Sequence, residues 1–501
     1  MASKLSSARR ISRGASLAML GNIINQVCFL FASIAIARYF GKEAFGVYSF
    51  AMSLSFVFAV LSIGGLQIIL IREVARGQQG AGVYLGNALL IILALTALAL
   101  MLLSCVVGLM DLSPFEVKAV YIAAVANLMH MYGRVAIAVC RAFERMAYEG
   151  VLLTLQGLVF LLLVWTAVYI EANLLSVIAA LLVSYVLMAW LAYFLVSKYL
   201  TRPDFRLDLS LCKFLVREAA PVGVSYFLAI LHDRIGAIVL QMFRGSAEVG
   251  LFGTAFSLTR NFSFIPLVVT GAILPTFSRL AVSSRENLSV AYAKAFKFLF
   301  VLGLSLALGT TIWARPIILL IFGAEFTEAS VALQVVAWSL LFLFLNFVAK
   351  TTLEAINRQV LWTCTLAIGA VTNLILNVAL IPQMGILGAS LALVLADMMV
   401  FGIAFYFIYR ELSLPVATIA MGILKCLASG ALMGVAVRHF RNQSFFILVC
   451  LGAFVYSLSL LLLRVFDHEE LALMKEVVCM DDRIRWLARF KSEKSSTKES
   501  I

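Results

Sequence analysis

Charge is scarce in this sequence: 13% of its 501 residues are Asp, Glu, Lys or Arg, against about 25% in soluble domains. That scarcity excludes a large water-exposed surface and, with it, a sizeable domain standing in solvent. Proline is also rare, with eight residues, so few helices meet an obligatory break. The eight cysteines (Cys28, Cys105, Cys140, Cys212, Cys364, Cys426, Cys450 and Cys479) stand singly, without the spacing of a metal or redox site, and are expected to fill core positions. No phosphate-cradling glycine loop, nucleophile elbow or metal-spaced cluster occurs. The chain is therefore not expected to hydrolyse ATP, to act as an enzyme, or to hold a metal or cofactor.

What remains is apolar. Hydrophobic residues make up 63% and mean hydropathy is +1.03. Fourteen stretches approach the ~20 residues that cross a bilayer: 15–37, 45–70, 83–109, 117–140, 151–170, 174–197, 219–242, 249–276, 293–313, 328–350, 362–381, 386–409, 418–437 and 443–465. Charges interrupt the seventh, eighth and thirteenth. The fold class is an all-α integral membrane protein of about 14 transmembrane helices. The first stretch follows a basic segment, as a signal peptide would, but it runs past 20 residues without a small-residue cleavage site and is expected to stay as a span.

With Lys4, Arg9, Arg10 and Arg13 placed in the cytoplasm, 29 Lys and Arg fall on cytoplasmic segments, 7 on the other side, and Arg234, Arg260 and Lys425 inside spans. The positive-inside rule then puts both termini in the cytoplasm of a cell inner (plasma) membrane protein. The net charge of +13 is topology rather than nucleic-acid binding, since no soluble basic domain exists to hold a duplex. The expected organisation is a basic N-terminus (1–14), an N-lobe (15–197), an inter-lobe linker (198–218), a C-lobe (219–409), spans thirteen and fourteen (418–465) and a cytoplasmic tail (466–501). In that tail Leu471, Leu473, Met474, Val477, Val478, Ile484 and Leu487 recur at helical spacing, the pattern of a surface-lying amphipathic helix, and 491–501 is polar enough for disorder.

An internal repeat links the lobes. Gly46, Tyr48, Ala51, Ser53 and Leu54 match Gly250, Phe252, Ala255, Ser257 and Leu258 at a constant offset of 204. Both segments open the second helix of a six-span block, and an even number of spans gives both blocks the same orientation. The expectation is two parallel-related six-helix lobes around a central cavity, with two extra C-terminal helices.

Three segments carry a family resemblance. Asn373-Leu-Ile-Leu-Asn377 with Ile381-Pro382 and Gly385-Ile-Leu-Gly388-Ala389-Ser390 is similar to a paired Asn, an Ile-Pro turn and a Gly-x-x-Gly-Ala entry into span twelve. Arg141-Ala-Phe-Glu144-Arg145 is similar to a cytoplasmic turn after span four, and Asp233-Arg234-Ile-Gly236 with Glu248-Val-Gly250-Leu-Phe252 to spans seven and eight, Phe252 replacing a usual Tyr. On these the chain resembles the Wzx-like polysaccharide exporter and oligosaccharide flippase family, in the larger group that holds MATE antiporters and lipid II flippases. The resemblance implies a V-shaped bundle that flips a polyprenyl-diphosphate-linked glycan from the cytoplasmic to the outer leaflet by alternating access. Membrane lipids and polysaccharide polymerase machinery are then the other partners, and O-antigen or exopolysaccharide export the setting.

Charges inside spans are costly unless they face a wet cavity or a partner. Asp233 and Arg234, beside His232, fall in span seven, and Arg260 and Asn261 in span eight. Two Arg against one Asp leaves one positive charge for a diphosphate, whose oxygens match the planar donor fork of arginine. The competing reading is two closed salt bridges, Asp233 with Arg260 and Arg234 with Asp397 of span twelve. In span four, Asn127, His130, Arg134 and Arg141 share one helical face, either a wall of the cavity or snorkelling arginines with a packed histidine. His130 and His232 are candidates for proton uptake near neutral pH, although mid-span histidines more often pack. Asn22, Asn25 and Gln26 of span one suit sugar hydroxyls or helix contacts equally, whereas Asn373 and Asn377 suit interhelical bonding. Lys425 can snorkel to the surface. Gly21, Pro221, Pro266 and Pro275 mark candidate bends.

Three other readings compete. A cation-coupled multidrug exporter of the MATE type calls for acidic cavity residues, and the intramembrane charge here leans positive. A membrane polymerase or ligase calls for a larger external loop. A lipid II flippase also has fourteen spans and is disfavoured only by the exporter-like motifs.

Overall fold

The computed structural model describes residues 2–77, 80–440 and 444–466, with 2–13 described by their backbone alone. The amphipathic and polar tail expected after 466, Cys479 and the side chains of Lys4, Arg9, Arg10 and Arg13 lie outside the described residues. Among those described, every regular element is a helix. The first, α1 (Ala2–Ile63), has 62 residues, about three times the length that crosses a bilayer. It is two spans, joined at Gly41 in a left-handed conformation (φ 79°, ψ 178°) that only glycine adopts freely. Counting that pair separately, thirteen long apolar helical segments among the described residues supply fourteen spans.

Past Gly64 and Gly65, α2 (Leu66–Arg76) prolongs the second span. The first half is completed by α3 (Ala81–Leu109), α4 (Pro114–Ala142), α5 (Met146–Tyr169) and α6 (Leu174–Tyr199). The second comprises α7 (Leu209–Arg244), α8 (Ser246–Arg260), α9 (Phe264–Ser283), α10 (Arg285–Ile312), the short α11 (Ala314–Ile321), α12 (Ala329–Ala355), α13 (Gln359–Met384) and α14 (Ile386–Glu411). The N-terminus of α4 illustrates how ends are set: Pro114 opens the helix, and Ser113 and Glu116 cap it reciprocally, satisfying two otherwise orphan donors.

The halves repeat one packing scheme. In the first, α1 packs on α5 and α4 on α6; in the second, α7 packs on α13 and α12 on α14. Gly245 breaks the chain between α7 and α8 with φ 84° and ψ −178°, the conformation of Gly41 204 residues earlier. The halves meet where α1 lies against α7 and α8. Residues from Pro415 onward form a separate compact unit, in which α15 (Val416–His439) packs on α16 (Phe445–Leu462). There Lys425 donates to the carbonyl oxygen of Arg464 at 3.2 Å.

Several expectations change. The seventh span is part of a helix that begins at Leu209, ten residues before the apolar stretch, and runs unbroken through Pro221. The eighth breaks at a 3-10 turn, Asn261–Ser263, because Pro266 offers no N–H to the carbonyl of Phe262. Gly21 is no hinge: a Cβ there would lie 2.2 Å from the carbonyl oxygen of Gly150, so its role is the close crossing of α1 and α5. Cys28, Cys140 and Cys426 are buried as expected, whereas Cys105, Cys364 and Cys450 are exposed, a thiol being apolar enough for an outward, lipid-compatible surface.

Candidate functional site

Between the halves lies a cavity of about 360 Å³. Gln26, Phe29 and Ser33 of α1 line it with the later α1 residues Tyr48, Ser49, Ser53 and Phe56; Asn127 and Tyr185 come from α4 and α6. The second half contributes Asp233 and Arg234 of α7, Phe252, Phe256 and Arg260 of α8, and Asn261. Hydroxyls and amides alternate with aromatic faces, a lining that offers hydrogen bonds and stacking surfaces together. The volume is at the small end for ligand sites, enough for a headgroup and well short of an oligosaccharide.

Arginine organises the charged wall. Arg260 Nη2 lies 2.8 Å from Asp233 Oδ1 and 3.3 Å from Asp397 Oδ2. Asp397 Oδ1 lies 3.0 Å from His232 Nε2, and Asn346 Nδ2 donates to the Asp397 carbonyl oxygen at 3.2 Å. One of the two expected salt bridges therefore forms and the other does not: Asp397 pairs with Arg260 and His232, not with Arg234. The reason is position, since Asp397 is buried behind Arg260 and outside the cavity lining.

Arg234 instead lies between two rings, its guanidinium carbon 5.7 Å from the centroid of Phe56 and 5.6 Å from that of Phe256. Arg260 sits 5.4 Å from the same Phe256 ring. Among the described residues Arg234 makes no ion pair or hydrogen bond. Cation–π contact holds it while its donors stay free. Counting only groups that face the cavity, two arginines stand against Asp233, one positive charge in excess.

The other sequence candidates divide. Gln26 and Asn261 line the cavity; the Oε1 of Gln26 is buried without a partner, and Asn261 Nδ2 donates to the carbonyl oxygen of Ser257 at 2.6 Å. Asn25 turns away, its Nδ2 donating to the Leu153 carbonyl oxygen of α5 at 2.8 Å. Of the polar stripe on α4, only Asn127 reaches the cavity. His130 packs at a 43° tilt against Tyr185 with centroids 4.6 Å apart, Arg134 donates to Gln67 Oε1 of α2 at 3.4 Å, and Arg141 pairs with buried Glu149, its Nε 2.7 Å from Oε2. Sequence reasoning missed the aromatic cage, although Phe252, Phe256 and Arg260 are spaced by four, which stacks them on one helical face.

Contacts cross between the halves at both ends of the bundle. At the end carrying Gly41 and Glu116, Gly46 and Gly250 bring the halves into backbone contact: a Cβ on Gly46 would lie 1.7 Å from the Ser246 carbonyl oxygen, and one on Gly250 2.0 Å from that of Lys42. There Gln241 Nε2 donates to Glu116 Oε1 at 2.8 Å, the Lys42 amide to Glu325 Oε1 at 2.8 Å, and Arg38 to the carbonyl oxygens of Leu320 and Ile321. At the other, basic end, Arg72 Nη2 donates to Glu218 Oε2 at 2.8 Å, and Gly65 abuts Ala219 and Gly223 of α7.

The profile of the polysaccharide biosynthesis protein family matches residues 11–281, more than half of the chain. The chain belongs to that family. A probable low-salt glycan biosynthesis flippase of Haloferax volcanii is 25% identical over 367 residues, covering 72% of this chain and 75% of its own. The capsular polysaccharide biosynthesis protein CapF of Staphylococcus aureus is 20% identical over 400 residues, 78% of this chain and 98% of its own. In fold the chain is similar to the lipid II flippase MurJ in an inward closed conformation, with a TM-score of 0.71 at 15% identity over 89% of this chain and 98% of that one. An inward-facing MATE multidrug transporter gives 0.65 at 18% identity, over 79% and 98%.

In this polysaccharide biosynthesis protein the segments that carry the resemblance hold helices together. Asn373 Nδ2 donates to the His232 carbonyl oxygen at 2.7 Å, tying α13 to α7 as expected, whereas Asn377, expected to bond between helices, donates within α13 to the Asn373 carbonyl oxygen at 2.7 Å. Arg244 donates to the carbonyl oxygen of Pro382 at 2.7 Å.

Proposed function

We propose that this protein is a flippase that carries a polyprenyl-diphosphate-linked oligosaccharide from the cytoplasmic to the outer leaflet by alternating access. The observation that carries the reading is Arg234: free of carboxylate partners, held between Phe56 and Phe256, and facing a cavity between two halves that repeat each other. A diphosphate diester brings two negative charges that hydrocarbon excludes. Arg234 supplies the donor fork, Arg260 a second guanidinium already shared between two carboxylates, and Gln26 and Asn261 amides for the first sugar. The polyprenyl chain needs no site, since lipid solvates it. The names of the Haloferax and Staphylococcus relatives point to the same substrate class.

The moving parts in this reading are residues 15–197 and 219–409, joined by 198–218, with 418–465 outside the repeat. The basic end faces the cytoplasm of a cell inner membrane, with both termini on that side. Downstream, polysaccharide polymerase machinery consumes the delivered glycan. The cavity must widen to admit more than the headgroup.

The test uses proteoliposomes holding a polyprenyl-diphosphate oligosaccharide and an external glycan-cleaving enzyme. Wild type is expected to expose the lipid on both faces, and an Arg234→Ala, Arg260→Ala double variant to leave the inner half protected. Equal exposure by both proteins refutes the cationic site; efflux of small organic cations without lipid movement refutes the substrate.

A further inference from the structure

A second cavity, about 200 Å³, lies within the second half between α7, α12, α13 and α14. Leu343, Phe347, Trp362, Leu366 and Val400 make its apolar walls, and its polar end is His232, Asp233, Arg260 and Asp397. Lys350 lines it too, with a side chain 45% exposed. An ammonium group at such a place marks the wet mouth, at the basic end of α12, because hydrocarbon does not tolerate it. The volume holds about six waters at ~30 Å³ each. Asp233 and Arg260 line both cavities and so form the partition between them.

We propose that His232 and Asp397 form a proton-binding site, reached from the basic end through this second cavity, and that proton uptake there frees Arg260 for the anion in the central cavity. His232 is 5% exposed, and its Nδ1 is buried without a partner while Nε2 faces Asp397. An imidazole that donates from Nε2 to a carboxylate keeps a lone pair on Nδ1, and that lone pair is the place for a proton. The groups around it are Asp397 of α14, Asp233 beside it on α7, Arg260 of α8 and Lys350 of α12, with Asn373 and Gly369 facing it from α13. Asp397 and Asp233 favour the imidazolium and Arg260 opposes it, the Lys350 ammonium being paired with Glu354 at 3.8 Å. Arg260 bridges Asp233 and Asp397, so its guanidinium already occupies the space between the two carboxylates.

The coupling runs through Asp397. Neutral His232 leaves that carboxylate to Arg260; protonated His232 neutralises it, and Arg260 keeps Asp233 alone. An anion that draws Arg260 toward the central cavity must in turn favour the imidazolium, since linkage between two sites is reciprocal. The proton site stands on geometry alone, and only its coupling rests on the headgroup reading.

The experiment is a pH titration from 5 to 9 of protein in lipid nanodiscs with 15N-labelled histidine, without and with a short-chain prenyl-diphosphate N-acetylglucosamine, a diester that does not itself titrate there. The signal missing in His232→Gln, or left after His130→Gln, His439→Gln and His468→Gln if that variant fails to fold, is expected to titrate. Asp397→Asn is expected to lower its protonated fraction at pH 6.5 several-fold, and the probe to raise it at least twofold. A His232 signal unchanged across the range, or one indifferent to Asp397→Asn, overturns the proton site. Titration with the probe bound but without effect overturns the coupling. Titration with no probe binding at all rejects both the coupling and the headgroup reading while the proton site stands.

Discussion

Gly46 and Gly250 pack backbone to backbone across the boundary between the halves, each pressed on the residue that precedes the other by four, Ser246 and Lys42. Because 42 and 46 map onto 246 and 250 by the same offset of 204, the contact is self-complementary, as at a two-fold axis. No side chain larger than hydrogen fits.

Gly250→Val is therefore expected to force the Gly41 end apart. Overpacking of about 1–3 kcal/mol shifts the open-to-closed ratio by about fivefold or more. Labelling of a Ser49→Cys variant by an impermeant maleimide added from that side should rise by about fivefold or more when Gly250→Val is added; an unchanged rate means the contact is not a gate.

At the basic end, Arg72 and Glu218 are each 39% exposed, so their pair contributes only about 0.2–1 kcal/mol. Arg72→Glu alone should change the transport rate by no more than about fivefold. Adding Glu218→Arg should restore it. Failure of the double variant to recover assigns the defect to something other than this pair.

Asp397 and Asp233 differ in burial, with side chains 5% and 36% exposed. Asp397→Ala leaves buried His232 without its partner and Arg260 with Asp233 alone, and should destabilise the protein by about 3 kcal/mol, whereas Asp233→Asn should cost less than about 1 kcal/mol. Thermal unfolding in detergent should rank them in that order, and the reverse order contradicts the network.

Phe256 touches both cavity arginines through its ring face. Phe256→Leu removes contacts of about 1–2 kcal/mol, and lipid flipping should fall roughly tenfold with folding preserved. Phe256→Trp, which keeps an aromatic face, should retain most activity. Equal rates for Leu and Trp imply that the ring acts by size alone.

How far these features can be read from sequence depends on the range of the interaction. Apolar run length marks the spans because bilayer thickness sets it, and the 204-residue offset relates Gly46 to Gly250 because both make the same close contact. Even the merged α1 is legible afterwards, since Gly41 and Gly245 occupy equivalent places in the repeat. Partner choice is not legible in this way. Helical periodicity puts Asn127, His130, Arg134 and Arg141 on one face, yet that face looks successively at the cavity, Tyr185, Gln67 and Glu149. Likewise Asp397 reaches Arg260 and not Arg234 through the packing of α14 beside α8 and α7, a tertiary fact with no local signature.

The central claim is that an unpaired arginine in the inter-half cavity receives the diphosphate. Its most direct measurement is the affinity of a short-chain prenyl-diphosphate N-acetylglucosamine for wild type, Arg234→Lys and Arg234→Ala in nanodiscs. A charge-assisted hydrogen-bonding group contributes about 1.5–3 kcal/mol, so Arg234→Ala should bind roughly 10- to 100-fold more weakly, with Arg234→Lys between the two. Affinity unchanged in Arg234→Ala would contradict the account.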